Sequence, residues 1–201
     1  IFFELNMRLK KGMRRQEILQ ALARMLESQK GRITTAALSS ELKISEAALY
    51  RHFPSKVKMY QGLLDFAEKT IFARISSITA ENQNAFEQCN RIISLILNFC
   101  IKNPGITRLL NGDALAYEDS VLPARIKTFY DRLELQFQST LLEGQSRFEF
   151  ELLDTIESIA NLMITIVEGK ISAYVRSDFN KNPLQSHSNQ WKVIVSGISQ
   201  K

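Results

Sequence analysis

The sequence predicts an all-α protein: a three-helix unit built on a helix-turn-helix, then a larger helical body, about nine helices in all. Three observations carry this. Apolar residues recur at spacings of three and four along most of the chain, and no segment alternates convincingly as a strand. Breaks are few, since only 8 Gly and 4 Pro occur in 201 residues. Near the start, two short helical stretches are separated only by Lys43-Ile44-Ser45, a connection tight enough for a helix-turn-helix.

The first helix spans 13–28, with Ile18, Leu19, Leu22, Met25 and Leu26 on one face, and Gly31 ends it. Thr34 caps a second helix carrying Ala37, Leu38 and Leu42, and Ser45 caps a third. Phe53-Pro54-Ser55 stops the third, because proline disfavours helical geometry in the residue before it. Ile33, Leu38, Leu42, Ile44, Leu49 and Phe53 are the expected small core. A long helix over Lys56–Ile78 buries Tyr60, Leu63, Leu64, Ala67, Ile71 and Ile75. Residues 85–101 are apolar nearly all round, as in a helix covered on most sides. After the break at Lys102-Asn103-Pro104-Gly105 come a short helix and a long one with Ile126, Phe129, Tyr130, Leu133, Phe137 and Leu141. The next long helix carries Leu152, Ile156, Ile159, Met163 and Ile166. A loop over 180–190, containing His187, leads to a last short helix from Trp191. The expected division is 1–12, 13–56 for the helix-turn-helix domain and 57–201 for a regulatory and dimerisation body. Residues 1–12 are read as a basic arm or as residues added ahead of the native chain, and Met7 and Met13 are candidate starts.

Charge separates the two parts. Residues 1–56 hold 11 Lys and Arg against 5 Asp and Glu, whereas 57–201 hold 15 against 16. The excess behind the net +5 therefore lies with the helix-turn-helix and points to a polyanion there. No apolar run reaches the roughly 18 residues of a membrane span. Basic residues follow the opening apolar residues, the wrong order for a secretory signal. Cys89 and Cys100 match no metal spacing and read as small buried hydrophobes of a reduced compartment. Neither a nucleophile elbow nor a phosphate-binding glycine loop is present, so the sequence supports no catalysis and implies no cofactor or metal.

The third helix is short, with Ala47 and Ala48 at its middle and Tyr50, Arg51, His52 and Lys56 at or beyond its end. A recognition helix must enter a major groove about 12 Å wide, and small side chains let its backbone approach. Tyr50, His52 and Lys56, with Thr34 across the turn, are placed to meet phosphate oxygens. The competing reading is a plain helical corner, with Tyr50 and Phe53 in its core.

The run over 34–56, above all Leu49-Tyr50-Arg51-His52-Phe53-Pro54-Ser55-Lys56, resembles the DNA-binding end of the TetR family of transcription regulators. Residues 102–118, 122–134 and 168–179 are similar to the nucleoid occlusion factors of that family. The chain departs from them in a shorter connection over 28–32, in Lys102 where arginine is expected, and at both ends. The resemblance implies a homodimer on palindromic double-stranded DNA, cytoplasmic and nucleoid-associated, restraining the tubulin-like division GTPase FtsZ. The expected DNA-binding set is Thr34, Thr35, Ser45, Glu46, Ala47, Tyr50, Arg51, His52 and Lys56. The resemblance further implies that the C-terminal tail of FtsZ docks on Phe66, Arg74, Leu95, Lys102 and Asn103.

The stripes of the two long C-terminal helices are long for one small body to bury. A four-helix bundle across a two-fold axis is therefore expected, through Ile126, Phe129, Leu133, Phe137, Leu152, Ile156, Ile159 and Met163. The rival reading is a ligand-responsive repressor of the same fold. Glu168, a polar residue ending an apolar run, is then either a pocket acid or an exposed helix-end group.

Overall fold

The computed structural model describes residues 10–28, 33–81, 83–113 and 121–200. Most of the arm expected over 1–12 and most of the short connection over 28–32 lie outside them. Among the described residues the helices are α1 (Lys10–Ser28), α2 (Thr35–Glu41), α3 (Glu46–His52), α4 (Lys56–Thr79), α5 (Ala85–Lys102), α6 (Pro104–Leu110), α7 (Val121–Ser146), α8 (Ile156–Arg176) and α9 (His187–Ile198). Two-residue strands β1 (Glu151–Leu152) and β2 (Ser199–Gln200) pair antiparallel, Glu151 opposite Gln200 and Leu152 opposite Ser199. The all-α expectation holds but for this pair. Among the described residues no helix is long and apolar enough to cross a membrane.

The chain forms two compact units. The first is Ile1–Glu68 with Lys102–Ile126. Its interior takes Ile18, Leu22 and Leu26 from α1, then Ile33, Leu38, Leu49 and Phe53, all at most 2% exposed. Leu42 and Ile44 are only half-buried. Helix α6 returns against α1 so closely that Gly105 is confined by the α1 backbone: a Cβ there would lie 1.9 Å from the Ala23 carbonyl oxygen. Arg125 of α7 ties the first turns of that helix to α4, donating to Asp65 Oδ1 at 2.5 Å and Glu68 Oε1 at 3.2 Å.

The second unit is Lys69–Ile101 with Lys127–Lys201. Ile92, Ile93, Ile96 and Leu97 of α5 are fully covered, as are Leu133, Phe137 and Leu141 of α7 and Met163 and Val167 of α8. Phe72 and Phe129 meet edge to face at 6.0 Å. Cys89 and Cys100 are buried and free, and burial pushes the Cys89 thiol pKa well up, as for a small hydrophobe.

Two expectations for this unit are corrected. Leu152 lies in β1, and α8 begins at Ile156. Thr155 sets that start, its hydroxyl oxygen accepting from the Ser158 amide at 3.2 Å. Helix α9 starts at His187 rather than Trp191, and His187 is 5% exposed, not a loop residue. Its Nε2 lies 3.0 Å from Asn90 Oδ1, and its Nδ1 has no hydrogen-bond partner among the described residues. The residues expected at a dimer interface are largely covered within the single chain. Ile126, Phe129, Leu133, Phe137, Ile159 and Met163 are at most 8% exposed, and Leu152 and Ile156 are half-buried.

Candidate nucleic-acid interface

The hydroxyl oxygen of Thr34 accepts from the Ala37 amide at 3.1 Å and starts α2; that of Ser45 accepts from the Ala48 amide at 3.2 Å and starts α3. A capping hydroxyl keeps its own hydrogen, so both residues retain a donor. Between the helices Lys43 takes the left-handed conformation at φ 53°. Its amide donates to Ser40 O and the Ile44 amide to Ser39 O, both at 3.0 Å, which fixes the turn.

Helix α3 is then divided cleanly. Leu49 and the capping Phe53 face inward, while Glu46, Ala47, Tyr50 and Arg51 are exposed. Ala48 and His52 lie at the edge, half-buried. The exposed residues share one helical face, with the small Ala47 in it. Thr35 Oγ1 donates to Glu46 Oε2 at 2.6 Å, and Tyr50 Oη lies 3.5 Å from Thr35 Oγ1. Thr35, Glu46 and Tyr50 are thus connected across the α2–α3 turn. Lys56 places its Nζ 5.5 Å from the Tyr60 ring centroid.

Sequence reasoning missed Arg15. Its Nη1 donates to His52 O at 2.6 Å, and its guanidinium lies 4.1 Å from the Phe53 ring centroid. This α1 side chain holds the end of α3 from 37 positions away, a separation at which no local pattern betrays it. Lys43 was likewise passed over as part of a connection, yet it is an exposed cation at the turn.

The residues expected to receive a peptide fall in both units. In the first, Phe66 and Asn103 are half-buried and Lys102 is exposed. In the second, Arg74 is exposed and Leu95 half-buried. Lys102 and Asn103 also line a cavity of about 280 Å³ with Gln20, Ala23, Arg24 and Glu27 of α1. Glu168 is exposed, and its carboxyl pKa is raised by partial burial and then by Glu134.

The outward side of α8 carries Leu162, half-buried Ile166, open Gly169 and half-buried Ala173. Ile166, Gly169 and Ala173 line an open groove with Val193 and Ile194 of α9, and Val193 is 72% exposed. Among the described residues, no atom beyond its own stretch of helix lies within 4 Å of where a Gly169 Cβ would stand.

Comparison with known proteins agrees with this architecture. The family described as "Bacterial regulatory proteins, tetR family" matches residues 18–63, and "Tetracyclin repressor-like, C-terminal domain" matches 83–199. The chain is 49% identical over 184 residues to the nucleoid occlusion factor SlmA of Alteromonas mediterranea, covering 90% of this chain and 94% of that protein. It is 45% identical over 190 residues to the SlmA of a Marinomonas species, covering 94% and 96%. Among solved structures, a TetR transcription regulator from Haloarcula marismortui superimposes with a TM-score of 0.78 at 18% identity, covering 94% of this chain and all of that one, a likeness of fold. The chain belongs to the TetR family of bacterial regulators and, within it, to the nucleoid occlusion factors called SlmA.

Proposed function

We propose that this protein binds palindromic chromosomal sites as a homodimer and, from the nucleoid, restrains assembly of the division GTPase FtsZ by holding its C-terminal tail. The observation that carries this reading is the 49% identity to a nucleoid occlusion factor over 90% of the chain, spanning both the DNA-facing unit and the C-terminal body. The protein acts by binding, in the cytoplasm on the nucleoid. Residues 13–56 serve DNA, and 57–201 serve regulation and dimerisation.

On DNA, α3 enters the major groove with Glu46 and Ala47 nearest the base edges. Tyr50, Arg51, His52 and Lys56 contact phosphates, as do the hydroxyls of Thr34 and Ser45, which fixes register without reading sequence, while the Thr35 hydroxyl serves the interface by holding Glu46. The acidic tail of FtsZ is held by Arg74 and Lys102, its apolar residues by Phe66 and Leu95, and its extended backbone by Asn103. Lysine at 102 offers a point charge and not the planar two-point contact of arginine, which lowers affinity for the tail. With the inner stripes already covered, the two-fold interface is the outward side of α8 with α9, where Leu162, Ile166, Gly169, Ala173 and Val193 expose apolar and small surface.

Mapping bound sites across the chromosome tests the reading. Many dispersed palindromes, depleted near the replication terminus, are expected. A single site beside the protein's own gene would favour the local, ligand-responsive repressor instead.

A further inference from the structure

The outward face of α3 holds one acid, Glu46, among Ala47, Tyr50 and Arg51. Among the described residues its carboxylate has a single partner, the Thr35 hydroxyl at 2.6 Å, and no cation neutralises it. Duplex DNA carries one negative charge per roughly 1.7 Å of axis. An exposed carboxylate brought to that surface is repelled by every nearby phosphate, and the groove strips it of water. Such a group is tolerated at the centre of the interface when it accepts a hydrogen bond from a base.

In the major groove only two base groups donate, the cytosine N4 amine and the adenine N6 amine. Adenine sets its N7 acceptor beside N6, and a carboxylate, which has no hydrogen to offer, is repelled by that N7. Cytosine is the better match. The Thr35 bond occupies Glu46 Oε2 and limits the side chain's rotation, which leaves Oε1 to accept from the base. The neighbouring Ala47 has no bulk to keep the base edge away.

We infer that Glu46, held by Thr35, reads a cytosine N4 amine at one position in each half-site, and is a determinant of sequence specificity. This rests on the DNA-binding reading above.

The test is selection from a randomised duplex library with the full chain, as wild type, Glu46→Gln and Glu46→Ala. Wild type should retain cytosine at one position per half-site, preferred over other bases by about 5- to 150-fold, the ordinary cost of one mismatched base pair. Glu46→Gln should move that position towards adenine, whose N6 and N7 an amide meets with two bonds, and Glu46→Ala should lose the preference there. All other positions should be unchanged. If both variants keep the wild-type base at every position and lose affinity uniformly, Glu46 only positions Thr35 and the inference is overturned. If wild type selects no sequence at all, the DNA-binding reading fails with it.

Discussion

Replacing Gly105 by alanine should loosen the first unit, and the size of the effect follows from three distances. The new Cβ would lie 1.9 Å from Ala23 O, 2.8 Å from Ala23 C and 3.1 Å from Glu27 N, all backbone atoms of α1. No side-chain rotation relieves such a clash. Restoring even a 3.0 Å separation from the carbonyl oxygen moves α1 and α6 apart by about 1 Å, which forfeits much of the dispersion energy along their contact. Overpacking of this kind costs about 1–3 kcal/mol, or more where backbone must shift. Against it, alanine gains about 1 kcal/mol of helix propensity over glycine. The clash wins, and a net loss of about 2 kcal/mol should lower the urea midpoint by about 1 M at fixed protein concentration. A Gly105→Ala variant as stable as wild type, or more so, would refute the close α1–α6 packing.

Three further outcomes are expected. Lys56→Ala should weaken binding to all sequences alike and reduce the salt slope by about one unit per protomer, read by band-shift titration at several salt concentrations. Gly169→Arg should give monomers in light scattering where wild type is a dimer; an intact dimer would move the interface elsewhere, for instance to Leu135 and Leu142 on α7. Burial, then the charge of Lys170, lowers the His187 pKa below its ordinary 6.5, while the Asn90 contact opposes this. The unfolded chain therefore takes up the proton first, so the stability held by the neutral ring is present above about pH 6.5 and is lost as pH falls through that value towards the folded pKa. Urea midpoints at pH 7.5 and 5.5 should fall further for wild type than for His187→Gln. The raised pKa of Glu168 acts in the opposite sense but is common to both proteins, so equal losses would contradict the role of His187.

What was legible in the sequence depended on how local its cause is. The caps at Thr34 and Ser45 and the stop at Phe53-Pro54 act within four residues, and they delimit α2 and α3 as expected. The stripe from Tyr60 to Ile75 marks the buried face of α4 by period alone. Long-range causes were invisible. Arg15 meets His52 across 37 positions, and His187 meets Asn90 across 97, so one was overlooked and the other read as a loop residue. Periodicity marks an apolar face, as with Phe129, Leu133 and Met163, but it does not tell which partner covers that face. All three are covered within the chain. The outward stripe of α8, broken by Thr165 and Gly169, is too weak an apolar signal to stand out beside them.

The proposed function turns on the DNA-bound protein holding the tail of the division GTPase. Its most direct test is fluorescence anisotropy of a labelled C-terminal tail peptide of FtsZ, titrated with the protein on palindromic DNA. Wild type should bind two peptides per dimer. Arg74→Asp should lose at least about tenfold in peptide affinity, as one charge contact of about 1.4 kcal/mol or more requires, and Phe66→Ala should weaken it, with DNA affinity unchanged in both. No peptide binding by the wild-type complex, or undiminished binding by both variants, would contradict the claim.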